Sequence, residues 1–114
     1  MPSYRVTVDV DDVRPGVAPR DVLPAAEAIL AKTHVVEDRM LDVADPSSAH
    51  PQPQVHLRFA VTSSERDAED AEAQAVVRLL VDELDAFARC GTWLLRRGPG
   101  RRWTPVASGS PSGR

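Results

Sequence analysis

Two stretches of the chain alternate strictly between apolar and polar residues. Residues 4–10 read YRVTVDV, and residues 55–62 read VHLRFAVT. A period of two places successive side chains on opposite faces of a strand, so both stretches predict strands with one buried face. A weaker alternation over 39–43 predicts a further strand with Leu41 and Val43 pointing inward. Three prolines within residues 45–53 predict a loop between these strands, because proline has no N–H to donate to a sheet.

Two other stretches repeat apolar residues at helical spacing. The first, residues 21–32, has Asp21 as a candidate N-cap and Pro24 in the first turn. The second begins near residue 64, and its apolar stripe runs to Phe87, with Gly91 as the expected end of the helix. We expect both helices to pack on the inner faces of the strands. The side chains predicted to be most deeply buried are Leu57, Phe59, Leu80 and Leu84.

The C-terminal part predicts a short strand over 92–97, a turn at 98–100 and a returning strand over 101–106. The order strand, helix, strand, strand, helix, strand is that of the split β-α-β sandwich. The predicted fold class is therefore α+β, a ferredoxin-like split β-α-β sandwich (βαββαβ) with an extra C-terminal β-hairpin arm. We expect one domain over residues 1–106 and a flexible Ser/Gly/Pro tail over 107–114. This fold hosts many unrelated activities, so it assigns no function.

Composition excludes several classes of protein. No apolar run approaches the roughly 20 residues that span a bilayer, and no apolar stretch of signal-peptide kind follows the N-terminus. The single cysteine, Cys90, allows neither an internal disulfide nor a cysteine metal cage. We therefore expect a cytoplasmic protein without membrane contact.

Charge is distributed unevenly along the chain. Residues 1–95 carry 9 basic and 17 acidic groups, whereas residues 96–114 carry five arginines and no acid. The arginines cluster around the predicted turn, beside a tryptophan. Since arginine binds phosphate and an indole stacks on a base, one interpretation is that this segment contacts an anion or a nucleic acid. The members of this cationic segment are Arg96, Arg97, Arg101, Arg102 and Trp103. The alternative, which we favour, is a solvated sheet edge or a set of internal salt bridges.

The outward faces of the first and third strands form a second candidate surface. Alternation places two arginines, one acid, one histidine and one threonine there. This surface is a possible interface for a second copy or another partner, and it is also able to recognise an anion. A solvated sheet face is the simpler alternative. The residues are Arg5, Thr7, Asp9, His56 and Arg58.

No motif of established chemistry occurs in the sequence. Asp9, Asp11 and Asp12 form only a weak oxygen-ligand pattern, the histidines lack zinc spacing, and no glycine-rich phosphate loop is present. We therefore predict no catalytic, cofactor-binding or metal-binding residues and no cofactor.

The absence of such motifs favours a small non-catalytic protein-interaction module that self-associates as a homodimer. We expect the dimer to form through the sheet face or the C-terminal strand, with another protein as a possible partner. One alternative is a protein that associates with nucleic acid or another polyanion through the segment Arg96–Trp103. The other is a small-ligand binder or enzyme that uses the open sheet face or a dimer cleft.

Overall fold

The residues that the structure describes form one five-stranded antiparallel sheet with two helices packed on one of its faces. The computed structural model describes residues 3–44, 47, 52–98 and 102–110. The strand order across the sheet is β2-β3-β1-β4-β5. The elements are β1 (Ser3–Val13), α1 (Val22–Ala31), β2 (Val36–Ala44), β3 (Gln52–Ala60), α2 (Arg66–Leu84), β4 (Ala88–Arg97) and β5 (Thr104–Gly109), with a short 3-10 turn at Pro19–Asp21 before α1.

The alternation predicted for β1 and β3 is confirmed. Tyr4, Val6 and Val8 are fully buried, and they lie directly opposite the equally buried Phe59, Leu57 and Val55 of β3. Because residues that face each other across a ladder share one side of the sheet, the polar residues between them all lie on the other side. The sheet therefore has one apolar face toward the helices and one polar face.

The helices supply the second layer of the core. Leu80 and Leu84 of α2 and Leu30 of α1 are almost completely buried against the apolar face of the sheet. All four side chains predicted to be most deeply buried are at most 1% exposed, so that prediction is confirmed: Leu57, Phe59, Leu80 and Leu84.

The prediction that the second helix continues to Gly91 is wrong. The helix ends at Leu84, and Cys90 and Gly91 belong to β4. The chain turns at 85–87, where the N–H of Arg14 donates to the Phe87 carbonyl at 2.9 Å and the Arg14 guanidinium donates to the Asp85 carbonyl and carboxylate. Residues from Ala88 onward pair with β1 as a strand, although helical spacing alone assigned them to the helix. Phe87 therefore does not enter the core and is 38% exposed.

The edge strand β2 directs its apolar side chains as predicted, but the helices do not cover them completely. Leu41 and Val43 lie opposite Val55 and Pro53, on the helix side as predicted, yet they are 43% and 40% exposed. Only ten residues long, α1 leaves a groove between its N-terminal residue Val22 and this strand. The predicted inward direction of Leu41 and Val43 is confirmed, although both side chains remain partly exposed.

A C-terminal hairpin is present, but its returning strand lies later than predicted. β5 occupies Thr104–Gly109 instead of 101–106, so it enters the segment predicted as a tail. Gly109 lies opposite Trp93, and a Cβ at this glycine would lie 2.5 Å from the indole nitrogen. Three groups of residues lie outside the described residues: 99 and 100 of the predicted turn, 101 of the predicted returning strand, and 111–114 of the predicted tail.

Neither described helix combines the length and the apolar character that crossing a bilayer requires.

Candidate functional site

The polar face of the sheet, called the open face below, carries its side chains in transverse rows. The first, called the arginine row, consists of Arg58 on β3, Arg5 on β1 and Arg96 on β4, each opposite the next. Directly opposed side chains lie about 4.5–5.5 Å apart at Cβ, so three like charges stand side by side. Such a row destabilises the free protein unless other groups compensate it.

The middle of the open face is neutral, and His56 lies there. Its Nδ1 is 3.0 Å from the hydroxyl of Thr7, directly across the ladder. Its Nε2 is buried and has no hydrogen-bond partner among the described residues. Burial is the largest influence on this imidazole, and it lowers the pKa below the ordinary 6.5, so the ring is neutral at neutral pH. Nε2 therefore offers a lone pair when Nδ1 carries the hydrogen, or an N–H when Thr7 donates to Nδ1.

A carboxylate lies on the far side of His56 from the arginine row. Asp9 accepts hydrogen bonds from the Gln54 amide at 2.9 Å and from the Thr92 hydroxyl at 2.8 Å. Asp9 follows Arg5 by four residues on β1, which places their Cα atoms about 13 Å apart along the strand. The open face is thus positive at one end and negative at the other.

These groups line a shallow depression of about 470 Å³. Its walls come from β1, β3, β4 and β5. The lining residues are Thr7, Asp9, Gln54, His56, Thr92, Trp93, Leu94, Arg96 and Ser108.

Trp103 lies over the arginine row. Its ring centre is 4.8 Å from the Arg5 guanidinium and 5.4 Å from that of Arg58. The ring rests against Gly98, where a Cβ would come within 2.7 Å of it. Stacking of Trp103 on a base was the less favoured interpretation of the sequence, and the structure places the ring on two arginines of the same chain.

The cationic segment predicted from the sequence is divided between the two faces. Arg96 points to the open face, whereas Arg97 points toward α2, because neighbouring residues of a strand alternate. Arg97 donates to Glu69 at 2.8 Å and to Asp70 at 3.0 Å, and Tyr4 donates to the same Asp70. These contacts form an internal ion-pair network. Arg102 is exposed, and Arg101 lies outside the described residues.

All five residues predicted for the sheet surface lie together on the open face: Arg5, Thr7, Asp9, His56 and Arg58. The structure adds Arg96, Gln54 and Thr92, which the sequence analysis did not assign to this surface. Strand alternation could have assigned Arg96 to this surface. Neighbouring residues of a strand point to opposite faces, so one of Arg96 and Arg97 had to lie on the open face.

A second polar cluster lies between the helix layer and the loops, and its geometry is structural. Glu72 accepts the backbone N–H groups of Thr62 and Ser63 and lies 2.6 Å from the Nε2 of His34. Burial raises the pKa of Glu72, but the hydrogen bonds from Ser63, Thr62 and His34 outweigh it and lower the pKa to about 2. One carboxylate therefore fixes the loop before α2 and the loop after α1.

Replacing Glu72 by Gln is expected to destabilise the protein by about 1–3 kcal/mol at neutral pH, because an amide cannot satisfy the same donors. The pKa of Glu72 is lower in the folded chain than its ordinary 4.5, so its charge stabilises the fold above pH 4.5. That contribution is lost as the pH falls toward 2. Urea unfolding from pH 7 to pH 2 measures the effect, and a wild-type to variant difference that does not shrink toward pH 2 contradicts it.

Neither a metal site nor a reactive cysteine is found among the described residues. Within the described residues, no three His, Cys, Asp or Glu side chains are grouped as metal ligands. Cys90 is buried on β4, and burial raises the pKa of its thiol to about 11, so the thiol is protonated and unreactive at neutral pH.

The fold and the open face define a small α+β protein with both helices on one side of a single sheet. No family model matches the sequence. No curated protein matches it either. A solved structure described as a phage SAM lyase in the apo state is similar, with a TM-score of 0.62 and 12% identity, over 99% of this chain and 91% of that one. At this identity the likeness shows the fold.

The prediction of a non-catalytic interaction module is contradicted by this comparison, because the structural neighbour is described as an enzyme. The prediction rested on missing sequence motifs, yet the polar groups of the open face come from separate strands and form no motif. The comparison agrees better with the alternative of a small-ligand binder or enzyme that uses the open sheet face.

Proposed function

We propose that this protein is a lyase that acts on a small sulfonium compound, with S-adenosylmethionine (SAM) as the substrate to test, and that the open face binds it. The observation that carries the proposal is the unpartnered Nε2 of His56, which lies between a carboxylate and a row of arginines beside a depression of about 470 Å³. The structural likeness to a phage SAM lyase supports the choice of substrate.

The charge pattern suits a sulfonium compound that also bears a carboxylate. The Asp9 carboxylate, fixed by Gln54 and Thr92, would attract the sulfonium centre. The arginine row at the other end would attract the substrate carboxylate. A ligand with both charges would therefore bind in one direction.

Cleavage of a carbon–sulfur bond in a sulfonium compound does not require a general acid from the protein. The bonding electron pair goes to sulfur, and the leaving group is a neutral thioether, so no group has to protonate it. In an elimination, the bound substrate would have to displace the side chains that cover Nε2 of His56. The Nε2 lone pair would then take a proton from the carbon next to the carbon–sulfur bond, and the C–H electron pair would form a double bond. This chemistry needs neither a metal nor a paired nucleophile and base.

We also propose that the strand order β2-β3-β1-β4 is that of the ferredoxin-like split β-α-β sandwich, with β5 added at the β4 edge. The chain order βαββαβ and the placement of both helices on one face support this classification. The homodimer stays a prediction, which size-exclusion chromatography with light scattering measures.

The test is incubation of the purified protein with SAM and chromatographic detection of the released thioether nucleoside. We expect turnover by the wild type and a loss of about 100-fold or more in His56→Gln, because general-base catalysis contributes about 10²–10⁴-fold. Arg20→Gln, an exposed arginine beside α1, is the matched control and should keep full activity.

Calorimetry with SAM separates the outcomes. Binding without product contradicts the lyase and leaves a SAM-binding protein. Absence of both binding and product overturns the proposal, and so does full activity of the folded His56→Gln variant.

A further inference from the structure

We infer that Arg5 and Arg96 form a preorganised site for a single oxyanion, a carboxylate or a phosphate, and that Trp103 orients it. The inference deepens the proposed function and rests on it for the rest of the ligand, but the anion site is testable with simple anions.

The first argument is that these two arginines lack the partners that the other shielded arginines have. Arg97 is paired with Glu69 and Asp70, and Arg58 donates to Glu37 at 3.2 Å. Within the described residues, neither Arg5 nor Arg96 forms an ion pair with a carboxylate. The other described arginines without a carboxylate partner are exposed, where water solvates their charge: Arg20, Arg66, Arg78, Arg89 and Arg102.

The second argument concerns burial and repulsion. Arg5 and Arg96 are half-buried and directly opposite each other on β1 and β4. Like charges opposed across a ladder destabilise the sheet, and partial burial weakens their hydration. An anion between the two guanidinium groups would remove both costs, as the acidic partners do for Arg97.

The third argument is the position of Trp103. Its ring centre lies 4.8 Å from the central carbon of the Arg5 guanidinium, and the ring packs closely on Gly98. Stacking occupies the face of a guanidinium but leaves its in-plane N–H donors free. These donors form the fork that binds two oxygens of a carboxylate or phosphate.

The surrounding charge favours a small ligand over a nucleic acid. Asp9 and Asp42 lie on the same face beyond His56, each opposite Gln54 of β3. A long polyanion that followed the sheet would meet these carboxylates, whereas a single anionic group between Arg5 and Arg96 would not extend to them. Among small ligands, the charge order selects one with an anion at one end and a cation or neutral group at the other.

The experiment is a fluorescence titration with inorganic phosphate and, separately, acetate at low salt. A Trp93→Phe background leaves Trp103 as the only tryptophan, since the chain has two. We expect a saturable change in Trp103 emission and a loss of about tenfold or more in affinity in Arg96→Gln, because two charge-assisted hydrogen bonds disappear. Arg102→Gln, which removes the same charge from an exposed neighbour of Trp103, should bind like the background protein.

Arg5→Lys tests the fork itself. It keeps the charge but loses the planar donors, so we expect weaker binding of both anions. Stronger binding of acetate than phosphate identifies a carboxylate site, and the reverse identifies a phosphate site. Circular dichroism confirms that each variant is folded.

Three results would overturn the anion site: no saturable change with either anion, equal affinity in the folded Arg96→Gln variant, or tighter binding of a single-stranded oligonucleotide than of both anions. Its failure is distinguishable from failure of the lyase. Anion binding without SAM cleavage leaves the site and removes the lyase, whereas cleavage that is unchanged in Arg96→Gln leaves the lyase and removes the site.

Discussion

Replacing Arg97 by Met is expected to lower the free energy of unfolding by about 3–5 kcal/mol. The guanidinium is 16% exposed and donates to Glu69, whose side chain is only 7% exposed. Removing the cation leaves a buried carboxylate without its charge partner, and Asp70 loses a donor as well. Burial and the neighbouring Asp70 raise the pKa of Tyr4, so its hydroxyl stays neutral and cannot replace the lost charge.

Urea unfolding of the wild type and two variants measures this effect. Arg96→Met is the matched control, because the adjacent arginine points to the open face and lacks a carboxylate partner among the described residues. We expect less than about 1 kcal/mol of destabilisation there, or a slight gain from relieved repulsion. Adding Glu69→Gln to Arg97→Met should recover part of the loss. Equal destabilisation by both single variants would show that the Arg97 network contributes no specific stability.

Replacing Leu80 by Ala is expected to cost about 2–5 kcal/mol of stability. The side chain is 1% exposed and packs in the core beneath the sheet, so its loss removes buried apolar contact and leaves a cavity. Leu79 precedes it on α2 and is 49% exposed, which makes Leu79→Ala the control at the same helical propensity. Thermal and urea unfolding should separate the two variants by at least about 1.5 kcal/mol. Similar costs for both would contradict the placement of α2 on the sheet.

The strands with a repeating pattern were the part of the fold that the sequence predicted best. In β1, every second residue from Tyr4 to Val10 is apolar, and each of these is buried. The period of two carries this information within the segment itself, so no knowledge of the rest of the chain is needed. The same reasoning placed Arg5, Thr7, Asp9, His56 and Arg58 together on the opposite face.

The end of α2 was not predictable in this way. Leu80, Leu84 and Phe87 keep helical spacing, and Gly91 is a typical residue after a helix. The chain nevertheless leaves the helix after Leu84, because Ala88 and Cys90 pair with Val13 and Val10 of the first strand. The deciding partners lie more than 70 residues away in sequence, and a local pattern cannot report them.

The remaining parts of the candidate site were not predicted, for a different reason. Arg96 and Arg97 were grouped because they are neighbours in sequence, but strand geometry separates them onto opposite faces. The strand over 92–97 was itself predicted, so alternation would have divided the pair. No sequence pattern could predict that Nε2 of His56 is buried without a hydrogen-bond partner, because this depends on how neighbouring strands pack around the ring.

The position of β1 in the sheet has a consequence for how the chain folds. Its two neighbours are β3, residues 52–60, and β4, residues 88–97, so β1 leaves the ribosome well before either of the strands that pair with it. Closing such long loops is entropically costly, and non-local pairing slows folding. During synthesis the valine-rich face of β1 therefore remains uncovered at least until the residues of α2 that pack on it have been made. The charged residues Arg5 and Asp9, which lie between the apolar residues of β1, limit association of nascent chains during this interval.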